Sequence, residues 1–361
     1  MVKDTFSFSI CKQSELAEIQ KFLNTYWKKG HILSKNKEVM DFYYLNKDKK
    51  QYNFEMYRND RTNEIVAING FTTNQTFDKN IPKLYTWGAI WKCREDVAPG
   101  LGLALHEDYL FNRPKNCGCF GVSVNPNVKL FHELFNDYVG YLNHYYFLNK
   151  KIKKFSIAKI PKYSLNEPSY AKVPDKNFKF SEIKNSSEFN ILAQQQKELK
   201  CFYQAPLKSI TFIKNKYEKN PFYKYHTFKI SDKNEQPLGL LVIKAIKIKN
   251  ACCLRIVDYL GTEEIFGELA LFLQQLLERF NAEYIDIYNY GIGEKLLQKS
   301  GMLKLNHDQD EIIIPNYFEP FERRNIPILA TAITNDKSER IAIFKGDADQ
   351  ERPNIIEEKD L

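Results

Sequence analysis

The chain contains no apolar run near the roughly 18 residues that cross a bilayer, so membrane insertion is not expected. Its opening, "MVKDTFSFSICKQSEL", has neither the basic start nor the apolar core of a secretory signal. Together these absences predict a cytoplasmic protein. There is no Gly-Lys-Ser/Thr and no third glycine to complete a Gly-x-Gly-x-x-Gly, so neither the P-loop nor the dinucleotide fingerprint is present. Cys117-Gly118-Cys119 has no second cysteine pair and no nearby histidine at ligand spacing, and no metal site is expected. The seven cysteines, an odd number without an export signal, are expected as free thiols. Cys93, near a strand end, reads either as a nucleophile or as a small core residue. No basic arm gathers the 53 Lys and Arg that exceed 45 Asp and Glu, and the net charge of +8 suits an anionic small ligand, with no nucleic-acid partner expected.

What is there is 361 residues, 43% hydrophobic, enough for two ordinary domains that each bury a core. Residues 1–150 read as an αβββαβαβ pass. "SELAEIQKFLNTYW" begins with Ser14 as an N-cap and repeats Leu16, Ile19, Leu23 and Tyr26 at helical spacing. "YNFEMYRN" and "IVAINGFTT" read as neighbouring strands, followed by the strand "KLYTWGAIWK", a glycine turn with its helix, the strand "CFGVSV", the helix "NPNVKLFHELF" and a last strand "VGYLNHYYFLN". Residues 151–180, with lysines and prolines but no periodicity, read as a linker or crossing segment. Residues 181–330 repeat the order: helix "SEFNILAQQQKEL", strands "FYKYHTFKISD", "LGLLVIKAIKI" and "CCLRIVDYL", helix "TEEIFGELALFLQQLLERF", strand "YIDIYNYG", helix "GEKLLQKSGM" and strand "EIIIPNYF". Residues 331–361 form a polar tail, within which Arg352-Pro353-Asn354 after "GDADQ" reads as a fold-back.

The stretch "VAPGLGLALHEDYLF" runs from a strand through two glycines into a helix. The first amides of a helix are unpaired and its dipole adds positive potential there, so an anion is welcome. Glycines at 100 and 102 let the backbone approach a phosphate closely. An ordinary turn is the alternative reading.

A pyrophosphate turn on a late strand of an αβββαβαβ unit resembles the GNAT acyl-CoA N-acyltransferase superfamily. That family's Arg/Gln-x-x-Gly-x-Gly/Ala reads here as Val97-Ala98-Pro99-Gly100-Leu101-Gly102: both glycines match and the leading Arg or Gln does not. The resemblance implies an α/β (α+β) chain of two tandem GNAT-like domains, each a mixed, mostly antiparallel sheet flanked by helices. It implies acetyl-CoA or another acyl-CoA as co-substrate, held by Val97, Ala98, Gly100, Leu101, Gly102 and Leu103 at the turn. Trp91 and Lys92 would offer backbone to the pantetheine amides, and Asn127 or Asn125 would lie near the pantetheine arm. His132 stands where the family often places a tyrosine general acid; it also reads as the flank of a core helix. His144 is a second catalytic candidate or a core histidine. His31 and Trp87 are acceptor-side candidates, with solvent exposure the alternative for His31.

Double GNAT chains include the Fem peptidyltransferases and mycothiol synthase, which this layout resembles. Phrases such as "YIDIYNYGI", "IIIPNYFEPFERRN" and "IAIFKGDADQERPN" resemble two-domain GNAT proteins of bacterial capsule and lipopolysaccharide gene clusters. That resemblance implies N-acylation of an amino sugar, with a nucleotide-linked one expected. Asp258, a carboxylate inside the apolar "LRIVDYLG", is a candidate to orient an amine, or else a solvent-facing strand end. Tyr288 and Asn289 are candidates for the sugar. A Fem-like transferase using aminoacyl-tRNA and a non-catalytic GNAT-fold binding protein stay open as alternatives, as does the oligomeric state. The second pass has one glycine after "VDYL", so one acyl-CoA site is expected, in the first domain.

Overall fold

The structure is a computed structural model that describes residues 4–111, 113–114, 117–162, 178–194, 204–334 and 336–354. Residues 163–177 of the expected linker, 195–199 of "SEFNILAQQQKEL", Cys201 and 355–361 of the tail lie outside the described residues. The chain divides into two compact units. One comprises 1–138, 331–336 and 348–361; the other comprises 139–330 and 337–347. The expected limits at 150 and 330 therefore shift, and the segment read as a single tail is divided between the two units.

The first sheet is eight-stranded, in the order Phe6–Lys12, Gln51–Asn59, Ile65–Thr73, Tyr85–Cys93, Gly118–Val122, Leu329–Ile333 and Tyr138–Tyr141, with Leu45–Asn46 beside Gln51–Asn59. The second is also eight-stranded: Leu303–Lys304, Asn143–Leu148, Tyr284–Tyr290, Ala251–Gly261, Pro237–Ile248, Tyr225–Asp232 and Phe178–Glu182, with Ile343–Phe344 beside Tyr284–Tyr290. Both are mostly antiparallel with a parallel pair at the centre, Tyr85–Cys93 with Gly118–Val122 and Ala251–Gly261 with Tyr284–Tyr290. Helices flank them, giving the mixed α/β architecture expected.

Each unit also contains an unexpected strand, Phe6–Lys12 in the first and Phe178–Glu182 in the second. In each, aromatic and polar residues alternate, which is the period of a half-buried edge strand. "VGYLNHYYFLN" is two strands in different sheets: Tyr138–Tyr141 lies at the edge of the first, and Asn143–Leu148 pairs with Tyr284–Tyr290 in the second. The place beside Gly118–Val122 goes to Leu329–Ile333, from late in the chain. "EIIIPNYF" does not form the expected strand. The Ile314 amide donates to Asn325 Oδ1, Pro315 has no amide to give, and Arg255 takes the Pro315 and Asn316 carbonyls, leaving a single bridge at Ile313 and the short pair Tyr317–Phe318 with Phe321–Glu322.

Local details correct the expected helix starts. Ser14 does not cap; instead the Glu15 carboxylate accepts from the Lys12 amide at 2.6 Å, and the helix begins one residue earlier as a tight turn. The Ala270–Phe280 helix buries Phe272, Leu273, Leu276 and Leu277 against the second sheet's core. Each such side chain contributes about 1.5–3 kcal/mol of transfer free energy.

Candidate functional site

The first unit's central strands part in a specific way. Along one edge of Tyr85–Cys93, Gly70 faces Ile90 and Phe71 faces Gly88, so Ala89 has no counterpart and forms a bulge. Along the other edge, pairing with Gly118–Val122 runs from Tyr85↔Gly118 to Gly88↔Gly121 and stops. Beyond Gly88 the strands separate around a cavity of about 270 Å³. Its walls are residues 88–91 and 120–125, with His106, Tyr109 and Leu110 from the Leu101–Phe111 helix and His132 from the Lys129–Phe135 helix. A strand edge released from its neighbour presents amides and carbonyls to whatever enters, as an added strand would.

The glycine turn leads into the cavity's helix. Gly100 has φ +88°, and a Cβ there would meet nothing within 4 Å, so glycine serves the backbone angle. Gly102 serves close packing: a Cβ would sit 2.9 Å from Cys93 Cβ and 3.7 Å from Trp91 Nε1, and the Trp91 indole donates to the Gly102 carbonyl at 2.8 Å. The ladder of the helix opens with the Ala104 amide donating to the Gly100 carbonyl at 2.9 Å, so the Gly102 and Leu103 amides precede it. Ala98, Gly100 and Leu103 are exposed, and Val97 and Leu101 half-buried. Lys92, half-buried, pairs with Glu95 at 3.5 Å. Cys93 is a packing residue against Gly102, and burial raises its thiol pKa, away from the thiolate a nucleophile needs.

His132 is buried in the cavity wall. Asn136 Nδ2 lies 3.2 Å from its Nδ1, so that nitrogen accepts and the proton sits on Nε2; burial lowers its pKa and keeps the ring neutral. Asn125 lines the cavity, while Asn127 is exposed and donates its amide to Asn125 Oδ1 at 3.0 Å, so of the two asparagines Asn125 is the one at the cavity. Trp87 is a core residue packed toward Phe120, outside the cavity lining, because the alternation of its strand turns it inward. His31 is buried, not exposed: its Nδ1 accepts from the Leu33 amide at 3.2 Å and its ring lies 4.5 Å from Trp27, itself in the cavity wall. Burial, then the Arg352 charge, lowers its pKa to about 4. The fold-back after "GDADQ" is present in the first unit, where Asp349 accepts from Tyr44 Oη at 2.6 Å and pairs with Arg352 at 2.7 Å, and Gln350 accepts from Ser123 Oγ at 2.7 Å.

Two residues at this site escaped sequence reasoning. His106 stacks on Trp91, ring centroids 4.2 Å apart, and meets His132 edge-on at 5.4 Å. Glu55 is buried beside Asn69, in register with Asn69 and Trp91 across three strands, and pairs with Arg113 at 2.5 Å. Burial raises its carboxyl to about 7 against the pull of Arg113.

The remaining candidates lie in the second unit. Asp258 is fully buried and not a solvent-facing strand end. It binds Lys208 Nζ at 2.5 Å and accepts from Tyr217 Oη at 2.7 Å, and Lys208 also holds Asp347 at 2.7 Å. His144 is buried, Nε2 2.8 Å from Asp286, its ring 3.7 Å from that of Tyr288; Arg255 grips Asp286 from the other side, and burial lowers the His144 pKa to about 4. Asn289 is fully buried next to Tyr288 on the strand. The structure therefore groups Trp91, Asn125, His132 and the turn in one unit, and His144, Tyr288, Asn289 and Asp258 in the other.

The second sheet has the same parting of its parallel pair, which ends at Ile256↔Ile287. There the chain itself fills the gap. Phe344 pairs with Asn289 and Ile343 with Tyr290, while the Gly346 amide donates to the Val257 carbonyl at 2.7 Å.

No protein-family model matches the chain, and no curated protein matches it. Solved structures are similar in fold. A conserved protein of unknown function from Enterococcus faecalis V583, named a Probable N-Acyltransferase, aligns with 90% of this chain and 72% of its own, with TM-score 0.52 and 8% identity. A GCN5-related N-acetyltransferase from Anabaena variabilis aligns with the same shares, 90% and 72%, with TM-score 0.51 and 10% identity.

Proposed function

We propose that the chain is an acyl-CoA-dependent N-acyltransferase whose acyl-CoA site is the cavity of the first unit. The observation that carries this reading is the parted strand pair: a bulge at Ala89, pairing that ends at Gly88↔Gly121, and a glycine turn opening the helix alongside. A released strand edge suits the two amides of a pantetheine arm, and unpaired amides at the start of an 11-residue helix suit a pyrophosphate. In the reaction the acceptor nitrogen attacks the thioester carbonyl carbon, the oxyanion is held by a backbone amide of residues 89–91, and the C–S bond breaks. The attacking nitrogen, positively charged in the tetrahedral intermediate, gives its proton to the departing thiolate, and the His132 Nε2–H steadies that sulfur with a hydrogen bond while keeping its own proton. A ring that is neutral at rest with its proton on Nε2 suits that hydrogen bond.

The acceptor is an amino sugar, nucleotide-linked, and the place of reaction the cytoplasm; a net charge of +8 favours such an anionic substrate. A Fem-like transferase carries a long coiled-coil insertion, whereas no helix among the described residues exceeds 11 residues. The test is release of free CoA thiol from acetyl-CoA across a panel of nucleotide-linked amino sugars, alongside thermal shift with acetyl-CoA alone. Stabilisation plus acceptor-dependent thiol supports the proposal. No stabilisation at millimolar acetyl-CoA refutes it.

A further inference from the structure

His106 is 5% exposed, and neither ring nitrogen has a hydrogen-bond partner in the protein. Both facts matter because a neutral imidazole carries one N–H donor and one acceptor, and burying both unpaired is unfavourable. Burial, with the neighbouring His132, lowers the His106 pKa to about 3, so the ring is neutral across the physiological range. The residue is also held in place. Its face rests on Trp91 at 17° between planes, Phe131 lies 5.6 Å away, and Trp91 is itself fixed by its bond to the Gly102 carbonyl in the glycine turn. Packing alone would be served by phenylalanine. A polar ring kept unsatisfied in the wall of a cavity is the mark of a group reserved for a ligand.

We propose that His106 binds the pantetheine arm of the acyl-CoA, one ring nitrogen donating to an amide carbonyl of the arm and the other able to accept from an amide N–H. The inference rests on the acyl-CoA reading of the same cavity. It makes His106 a binding and positioning residue: by fixing the arm it sets how far the thioester reaches along residues 89–91, while His132 faces the leaving sulfur. Trp91 links this contact to the glycine turn, so the arm and the pyrophosphate are read by one connected wall.

The experiment compares wild type, His106→Phe and His106→Asn by calorimetry with two probes, free CoA and adenosine 3′,5′-bisphosphate, which lacks the pantetheine arm. Phenylalanine keeps the stack on Trp91 and removes both nitrogens; asparagine restores a donor and an acceptor. The expected result is CoA binding weakened about tenfold in His106→Phe, the bisphosphate unchanged, partial recovery in His106→Asn, and a melting temperature for His106→Phe no lower than wild type. Equal CoA affinity in wild type and His106→Phe overturns the inference, as does an equal loss for both probes, which would assign His106 a structural role. If wild type binds neither probe, it is the acyl-CoA reading that falls.

Discussion

Replacing Glu55 by glutamine should make the protein's stability less dependent on pH, in a direction fixed by its burial. Its carboxyl titrates at about 7 in the folded chain against an ordinary value of 4.5. Below pH 4.5 the group is protonated in both states and costs nothing. Between 4.5 and 7 the unfolded chain releases the proton and the folded chain keeps it, so stability falls as pH rises. Above 7 both states are ionised and the full penalty, about 3 kcal/mol, is present. Glutamine keeps the shape and an oxygen for Arg113, and it does not titrate. Its difference from the protonated carboxyl is the same at every pH in this range, and the ion pair with Arg113, formed only once the carboxyl ionises, is already contained in the folded value of about 7. The difference in unfolding free energy between wild type and Glu55→Gln should therefore move by about 2 kcal/mol in favour of glutamine from pH 5 to pH 8. Urea unfolding of both proteins at several pH values measures it, and where the two units unfold in separate steps the change belongs to the one carrying Glu55. A difference that stays flat with pH would refute the claim that burial outweighs Arg113 at this carboxylate.

Other expectations follow from single contacts. Gly102→Ala should destabilise by about 1–3 kcal/mol through its clash with Cys93, and Cys93→Gly should recover part of that in the double variant; additive losses in thermal melts would show the contact is not felt. Gly100→Ala, with open space but φ +88°, should cost only about 1 kcal/mol, so equal destabilisation by the two substitutions would contradict the different roles assigned to them. Lys208→Met leaves Asp258 and Asp347 buried without their cation and should cost about 3–5 kcal/mol in chemical unfolding; Asp347→Asn added to it should restore some stability, and a Lys208→Met protein as stable as wild type would overturn the buried triad. Asp349→Asn removes the charge that faces Arg352, and since burial, the largest single influence, is outweighed by Arg352 and the Tyr44 hydroxyl together, which hold that carboxyl below its ordinary value, the loss should be full near pH 7 and vanish as pH falls through the carboxylate range. A loss that grew in acid would be the wrong sign.

How much of this was legible in the sequence depends on how local each cause is. The glycine turn and its helix could be read directly, because the φ at Gly100 is a property of a few consecutive residues. The Ala89 bulge could not: it exists only in the register between strands, and no residue in "YTWGAIWK" announces which edge it will lose. The strand Asn143–Leu148 carries an apolar pattern that fits either sheet, so sequence order suggested the wrong partner, and Leu329–Ile333, at the expected limit of the polar tail, is not among the expected strands. Phe6–Lys12 and Phe178–Glu182, by contrast, were within reach, since Phe6 and Phe8, and Phe178 and Phe180, alternate as an edge strand does. Glu55 gave the same signal that singled out Asp258, a carboxylate between apolar neighbours Phe54 and Met56. His106 gave none. In "LGLALHEDYLF" it is one polar residue of an apolar helix, and its lack of a hydrogen-bond partner is decided by Trp91 and His132, from other elements.

The two sheets make the same opening and use it differently, and the reason is not the one the glycine count suggested. In the first, the parallel pair separates after Gly88↔Gly121 and the gap is a cavity. In the second, the pair separates after Ile256↔Ile287 and residues 343–346 enter as an extra strand bonded to both sides. That segment is fastened by charge as well as by backbone: Lys208 bridges Asp258 to Asp347, and Lys216 donates to the Gly346 carbonyl at 2.6 Å. Gly346 fits because it has no side chain, since a Cβ would lie 2.5 Å from the Val257 carbonyl oxygen and from Tyr217 Oη. Asp258, read from the sequence as a candidate to orient a substrate amine, instead holds the amine of Lys208 and thereby anchors the segment that occupies the second cleft. A buried ion pair of this kind is a poor source of net stability but a strict demand on geometry. Here the geometry it demands is a filled second cleft, which leaves the first, with its strand edge unpaired, as the cleft in which the acyl-CoA site is proposed.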